Sequence, residues 1–204
     1  MVLLVGACNP KTEETTAPQP ETVEQVADRL VATFMERHEV PGLSIAIAKD
    51  GRLVFAKGYG HTSIEETKPV TPDHLFRIAS ISKPITAVAI LRLVEEGRLS
   101  LDQKIFGEGA LLGTNYGTPP YSEWIRAITV THLLDHTAGG WNNKRDDPMF
   151  DHSDLDHADL ISWVLDNRPP ENAPGTHHDY SNFGYCLLGR VIEVVHGKPY
   201  EESV

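Results

Sequence analysis

A serine and a lysine three positions apart open the most apolar segment of the chain. The segment FRIASISKPITAVAILRLVEEG runs from Phe76 to Gly97, and Ser80 and Lys83 lie near its start. Residues three apart on a helix share a face, so the hydroxyl and the amine are expected to be neighbours. A serine becomes a nucleophile when a nearby base removes its proton, and a helix N-terminus stabilises an oxyanion that forms there. The pair therefore predicts covalent catalysis at Ser80, with Lys83 as the base.

The same pair also has a plain structural interpretation. Serine is a common helix N-cap, and a lysine in the first turn is usually solvated. The chain contains no other Ser-x-x-Lys, but isolated tetrapeptides of this kind are frequent false positives. The catalytic interpretation therefore depends on a second feature.

That second feature is the segment DYSNFG, which contains the only Tyr-x-Asn of the chain, Tyr180 and Asn182. Alternate residues of an extended segment point the same way, so the phenol and the amide are predicted to face a common site. The structural alternative is an N-cap at Ser181 or Asn182 beside a packed tyrosine.

The two motifs, taken in order, resemble those of a known enzyme family. Ser-x-x-Lys followed about a hundred residues later by Tyr-x-Asn is the pattern of serine β-lactamases and penicillin-binding proteins. Four segments resemble the class C-type branch of this family, which holds class C β-lactamases, D-Ala-D-Ala carboxypeptidases and related esterases. They are GLSIAIAKDGRLVFAKGYG, LFRIASISKPITA, ITVTHLLDHTAGG and PGTHHDYSNFGYCLLGRVIEVVHGKPYEE. The resemblance extends from about Thr22 to the end of the chain.

The resemblance implies a role for each of four residues. Ser80 is expected to be the acylated nucleophile, and its backbone N–H to form half of the oxyanion hole. Lys83 is expected to accept the proton of Ser80, and Tyr180 to serve the leaving group and the deacylating water. Asn182 is expected to hydrogen-bond the amide of the substrate. The chemistry requires no metal or cofactor, and β-lactam, D-Ala-D-Ala peptide and short ester substrates all use the same acyl-enzyme.

The third motif of the family, a Lys-Thr-Gly or His-x-Gly type triad on a late strand, is missing from the 204 residues. The resemblance places the other half of the oxyanion hole and most of the sheet in that region. Loss of one oxyanion-hole donor typically costs ~10²–10³ in rate. We therefore expect an N-terminal portion of a β-lactamase/transpeptidase-like fold, incomplete at the C-terminus and inactive alone. The alternative is a non-catalytic penicillin-binding sensor or binding domain of the same fold.

The elements before the catalytic serine are predicted from local patterns. A capping box at Thr22 and Gln25, followed by apolar residues at helical spacing, predicts a helix to about His38. Asp50-Gly51 between two β-like runs predicts a hairpin.

The later elements are predicted to be helical. The apolar run after Lys83 predicts a helix buried on most of its faces and closed by Gly97. A helical insertion with long polar loops is predicted over about 99–170, and another helix ends at Gly197. The order predicts the α+β class, an antiparallel sheet flanked by helices plus a helical subdomain.

The first 21 residues have a different character from the rest. Cys8 closes the apolar run MVLLVGAC, which resembles a lipoprotein lipobox, and a polar stretch rich in Thr, Pro and Glu follows. The run is short and lacks a preceding Lys or Arg, so a bland apolar terminus is the alternative. We expect residues 1–21 to be a signal remnant and tether with Cys8 lipidated, and 22–204 to be the hydrolase domain. That places the protein in the bacterial periplasm or cell envelope.

Charge and composition exclude other partners and sites. The formal net charge of −11 and the scattered Lys and Arg residues argue against nucleic acid. No other segment is long enough to span a bilayer. Ser44 in GLSIA is a near miss for a nucleophile elbow, but a strand pattern follows it. The metal-binding alternative has no recognised ligand spacing, and its candidates are His152, Asp154, His157, His177 and His178.

Overall fold

The computed structural model describes residues 20–63, 65, 67–144 and 146–204, so Cys8 and the predicted tether before residue 20 lie outside them. The chain divides into two compact units, residues 1–77 and 78–204. The first unit contains helix α1, Val23–His38, and strands β1, Gly42–Lys49, and β2, Arg52–Gly60. The second contains α2 Ser82–Glu95, α3 Glu123–Ala127, α4 Val130–Leu134, α5 Pro148–Asp151, α6 His157–Asn167, α7 Asn182–His196 and α8 Tyr200–Ser203.

The first unit has the capping box and the hairpin that its sequence predicts. The Thr22 hydroxyl accepts the Gln25 N–H, and the Gln25 side chain accepts the Thr22 N–H in return. Strands β1 and β2 pair antiparallel around the Asp50-Gly51 turn, and the register shifts once, between Ile47 and Ala48. These two strands form the sheet found in the described residues.

The second unit is built around α7, which packs against α2, α4, α5 and α8. This helix begins at a Ser181 N-cap and ends at Gly197, whose φ of 72° is the left-handed conformation that closes helices. Fully buried apolar side chains of α7 meet those of α2, α4 and α6; they include Ile90, Leu133, Ile161, Phe183, Leu187, Leu188 and Ile192. The start of α7 is therefore held in place by a packed core.

Helix α2 is less buried than the sequence predicts. Thr86, Ile90 and Leu93 are buried, but Val88 is 66% exposed and Leu91 49%. The prediction of burial on most faces was wrong because apolar composition does not tell how many faces have a neighbour. Within the described ranges, α2 contacts other elements mainly through the face that meets α7. Gly97 follows the helix at a φ of 68°, as predicted.

The α+β class is confirmed, with helices and a small antiparallel sheet. Helices α3 to α6 and their long loops occupy the predicted insertion. Among the described residues, no helix is both long and apolar enough to cross a membrane.

Candidate active site

The predicted nucleophile, base and amide lie together in the second unit. Lys83 Nζ is 3.2 Å from Ser80 Oγ and 2.6 Å from Asn182 Oδ1. The ammonium is also 4.7 Å from the centre of the Tyr180 ring, over its face. A single amine therefore contacts the other three residues that the two motifs supply.

The backbone before α2 presents Ser80 rather than using it as a cap. Residues Ala79–Ile81 form a 3₁₀ turn, and the N-cap position of α2 is Ile81, which makes no side-chain capping bond. Ala79 has a φ of 45°, in the left-handed region that alanine rarely occupies. Ser80 is exposed, and its hydroxyl accepts a hydrogen bond from Lys83 instead of capping the helix.

At the other motif, the helix cap and the two predicted site residues are different residues. Ser181 is the N-cap of α7, and its hydroxyl accepts the Gly184 N–H at 2.9 Å. Its neighbours Tyr180 and Asn182 both turn towards Lys83. The buried Ser181 cap therefore fixes the backbone from which the Tyr180 and Asn182 side chains extend.

The environment of Tyr180 lowers the pKa of its phenol. Burial raises the pKa of Tyr180, but hydrogen bonding by Lys83 and Ser80, together with the charge of Lys83, outweighs burial and lowers it below the ordinary value. The charge of Asp147 opposes this lowering. A phenol with a lowered pKa beside a serine hydroxyl is suited to exchange a proton with it.

The His136 ring packs against the Tyr180 ring. The sequence alone did not identify His136 as part of the site. Its ring stacks on the Tyr180 ring, with 4.5 Å between centres, and its Nδ1 accepts the Ser181 N–H at 3.1 Å. Burial lowers the pKa of His136, as do the nearby charges of His178 and Lys83, while the charge of Asp135 opposes them. A neutral ring keeps Nδ1 free to accept that bond.

Asp147 is a second residue that the sequence did not reveal. Its side chain is buried, and Asp147 Oδ2 accepts a hydrogen bond from Asn182 Nδ2 at 2.7 Å. In sequence it is one aspartate among many in an acidic loop, 35 residues before Asn182. No local pattern distinguishes it from its neighbours there.

Ser80, Lys83 and Asn182 line a cavity of about 490 Å³. Met149, Cys186 and Tyr200 contribute to its wall. A larger cleft of about 920 Å³ lies among residues 103–126. We assign the candidate site to the 490 Å³ cavity because its lining includes Ser80, the predicted nucleophile, and Lys83.

The histidines of the metal-binding alternative have other contacts. Within the described ranges, no group of three or more His, Cys, Asp or Glu side chains is arranged to hold a metal ion. The His152 ring packs on Trp163, and His157 Nδ1 lies 2.8 Å from Arg190. His177 and His178 contact Thr176 and His136 respectively.

Comparison with known proteins gives a consistent set of relatives. The protein family described as Beta-lactamase matches residues 27–204. Protein flp of Staphylococcus aureus (strain N315) is 28% identical over 181 residues, covering 89% of the chain. A penicillin-binding protein homologue from Pyrococcus abyssi, described as octameric, is 34% identical over 89% of the chain with a TM-score of 0.70. The D-alanine carboxypeptidase AmpC from Burkholderia cenocepacia is 32% identical over 87% of the chain with a TM-score of 0.65.

The chain is much shorter than these relatives. It spans 35% of Protein flp, 41% of the Pyrococcus protein and 44% of the Burkholderia carboxypeptidase. The similarity therefore concerns less than half of each relative.

Proposed function

The chain belongs to the Beta-lactamase family, and on that basis we propose that it is a serine hydrolase acting through an acyl-enzyme on Ser80. The observation that carries the proposal is the position of Lys83 Nζ, 3.2 Å from Ser80 Oγ and 2.6 Å from Asn182 Oδ1. Nucleophile and base within hydrogen-bonding reach, with the base held by a third group, are the signature of covalent catalysis. The substrate belongs to one of three classes: β-lactams, D-Ala-D-Ala peptides or short esters.

In the proposed reaction, Ser80 Oγ bonds to the carbonyl carbon of the substrate while its proton passes to the Lys83 amine. The carbonyl becomes an oxyanion, which the Ser80 N–H at the head of α2 stabilises. Its collapse breaks the bond to the amine or alcohol, which takes a proton from Tyr180. Water then attacks the ester on Ser80, with Tyr180 accepting its proton. The bond between the acyl carbon and Ser80 Oγ breaks, the acid leaves, and Lys83 returns its proton to Ser80 Oγ, which restores the hydroxyl and the neutral amine.

Intact-mass spectrometry with three probes tests this function: a fluorescent penicillin, a p-nitrophenyl ester and a D-Ala-D-Ala peptide. We expect a covalent adduct on the peptide containing Ser80 from at least one probe, with product release only from a polypeptide that also carries the third motif of the family. A stable penicillin adduct without product from that longer polypeptide would support the alternative, a penicillin-recognising sensor. No adduct from any probe would contradict both functions.

We also propose that the protein works in the bacterial periplasm or cell envelope and is held there by a lipid on Cys8. The apolar run ending at Cys8 and the polar stretch after it support this. Two apolar chains on one cysteine bind a membrane stably.

In a bacterial host that processes lipoproteins, we expect the protein to partition into the detergent phase, and Cys8→Ser to move it to the aqueous phase. Cys186→Ser is the control because it removes the other thiol without changing residue 8. Equal partition of wild type and Cys8→Ser would contradict the anchor.

A further inference from the structure

A chain of hydrogen bonds leads from the reactive amine to one buried carboxylate. Lys83 Nζ donates to Asn182 Oδ1 at 2.6 Å, and Asn182 Nδ2 donates to Asp147 Oδ2 at 2.7 Å. The Asp147 side chain is buried, with the residue only 7% exposed. We propose that Asp147 is a positioning residue: it fixes the orientation of the Asn182 amide and thereby the contact between Asn182 and Lys83. The effect of Asp147 on catalysis rests on the proposed function.

The primary amide of Asn182 is nearly symmetric in shape. Its oxygen and its NH₂ group have almost the same size, so the side chain fits its site in either of two flipped orientations. A carboxylate only accepts hydrogen bonds, and the Lys83 amine donates through its N–H groups whether it is neutral or charged. With Asp147 on one side, the NH₂ must face the carboxylate, and the oxygen must face Lys83. Asp147 thereby selects one of the two orientations.

Asp147 is itself held in a single orientation. It is the N-cap of α5, and its Oδ1 accepts the Met149 N–H at 3.0 Å, which leaves Oδ2 for Asn182. A neutral amide at position 147 has one oxygen for two donors. If that oxygen capped α5, the NH₂ group of the amide at position 147 would face the NH₂ group of Asn182. The amide of Asn182 would then turn over.

A turned amide would change the reactive amine. The NH₂ of Asn182 would then face Lys83 Nζ, where it would either displace the amine by donor–donor repulsion or occupy the lone pair that must accept the Ser80 proton. Displacements of about 1 Å at a reacting group cost roughly 10²-fold in rate. The Asn182 N–H that is not bonded to Asp147 would also lose its direction towards a substrate.

The test compares Asp147→Asn with Asp156→Asn. Asp156 caps α6 through a bond to the Asp159 N–H at 2.9 Å and is exposed, so the control makes the same change at a cap outside the site. We expect Asp147→Asn to slow acylation by the fluorescent penicillin by about 10- to 100-fold, and Asp156→Asn to leave it unchanged. A cap-only role for Asp147 predicts no loss, because asparagine caps helices as well as aspartate does.

The second readout is the side-chain ¹⁵N–¹H signal of Asn182, which does not depend on acylation. We expect the Nδ2 proton bonded to Asp147 to be shifted downfield and protected from exchange, and Asp147→Asn to abolish both features. An unchanged Asn182 signal in that variant would overturn the proposal, as would unchanged acylation. A wild-type protein that no probe acylates would contradict the proposed function, and the amide signal alone would then decide the role of Asp147.

Exchanging residues 147 and 182 gives a test that remains decisive if Asp147→Asn alone is unstable. In the double variant Asp147→Asn with Asn182→Asp, the amide introduced at position 147 caps α5 with its oxygen and donates from its NH₂ to the carboxylate introduced at position 182. That carboxylate still offers an acceptor to Lys83. We expect the unfolding midpoint of the double variant to recover towards wild type relative to Asp147→Asn alone. Equal or greater destabilisation of the double variant would contradict the hydrogen-bond direction proposed here.

Discussion

Ser80→Ala is expected to abolish the covalent adduct with every probe that labels the wild-type protein. The hydroxyl is exposed in the cavity and bonded to Lys83, and alanine offers no atom that could form an ester. Removal of the nucleophile in a serine hydrolase costs about 10⁶-fold in turnover. The measurement is intact mass after incubation with the fluorescent penicillin, together with the release of p-nitrophenol that accompanies acylation by the p-nitrophenyl ester.

The matched control is Ser82→Ala. Ser82 is also exposed, lines the same cavity and begins the same helix, so it tests whether any hydroxyl in this turn reacts. We expect Ser82→Ala to retain both the adduct and the release of p-nitrophenol that accompanies acylation. An adduct that persists in Ser80→Ala, or one that Ser82→Ala removes, would show that the nucleophile is not Ser80.

Lys83→Ala is expected to slow acylation of Ser80 by about 10²- to 10⁴-fold without unfolding the protein. A positioned base contributes a factor of this size, and Lys83 Nζ is 3.2 Å from the serine hydroxyl. The measurement is the second-order rate of labelling by the fluorescent penicillin. Lys198→Ala, which removes an exposed lysine just after α7, is the control and is expected to label at the wild-type rate.

The same variant should change the ionisation of Tyr180. Hydrogen bonding and charge from Lys83 oppose the effect of burial, so their removal leaves burial dominant and raises the pKa of Tyr180. We expect the tyrosinate absorbance assigned to Tyr180, by difference from Tyr180→Phe, to appear at higher pH in Lys83→Ala than in wild type. An unchanged titration would mean that Lys83 does not act on the phenol.

Local patterns predicted those parts of the fold that local interactions determine. The capping box at Thr22, the Asp50-Gly51 turn and the glycine that closes α2 each depend on residues within one or two turns. Ser80 and Lys83 were predictable for the same reason, since three residues of helix bring them together. The catalytic roles of individual residues stay predictions, and so does the inactivity of these 204 residues alone. Turnover of a chromogenic cephalosporin by this polypeptide would contradict the predicted inactivity.

Two long-range partners, Asp147 and His136, were not predictable from the sequence. Asp147 meets Asn182 across 35 residues, and His136 meets Ser181 across 45. Neither partner has a spacing that a helix or a strand imposes, because loops of the insertion bring them to α7. The prediction of α2 burial failed for a related reason: an apolar residue such as Val88 carries no information about whether another element covers it.

The left-handed backbone at Ala79 has an evolutionary consequence. A non-glycine residue in this conformation costs about 1–2 kcal/mol, and here it immediately precedes Ser80 in the turn that presents the hydroxyl. Variants selected only for heat resistance should therefore accumulate glycine at position 79. Selection for acylation should instead keep a side chain there, because a side chain restricts the backbone conformations of the turn that presents Ser80. Position 79 is thus a place where thermal adaptation and catalytic fitness favour different residues.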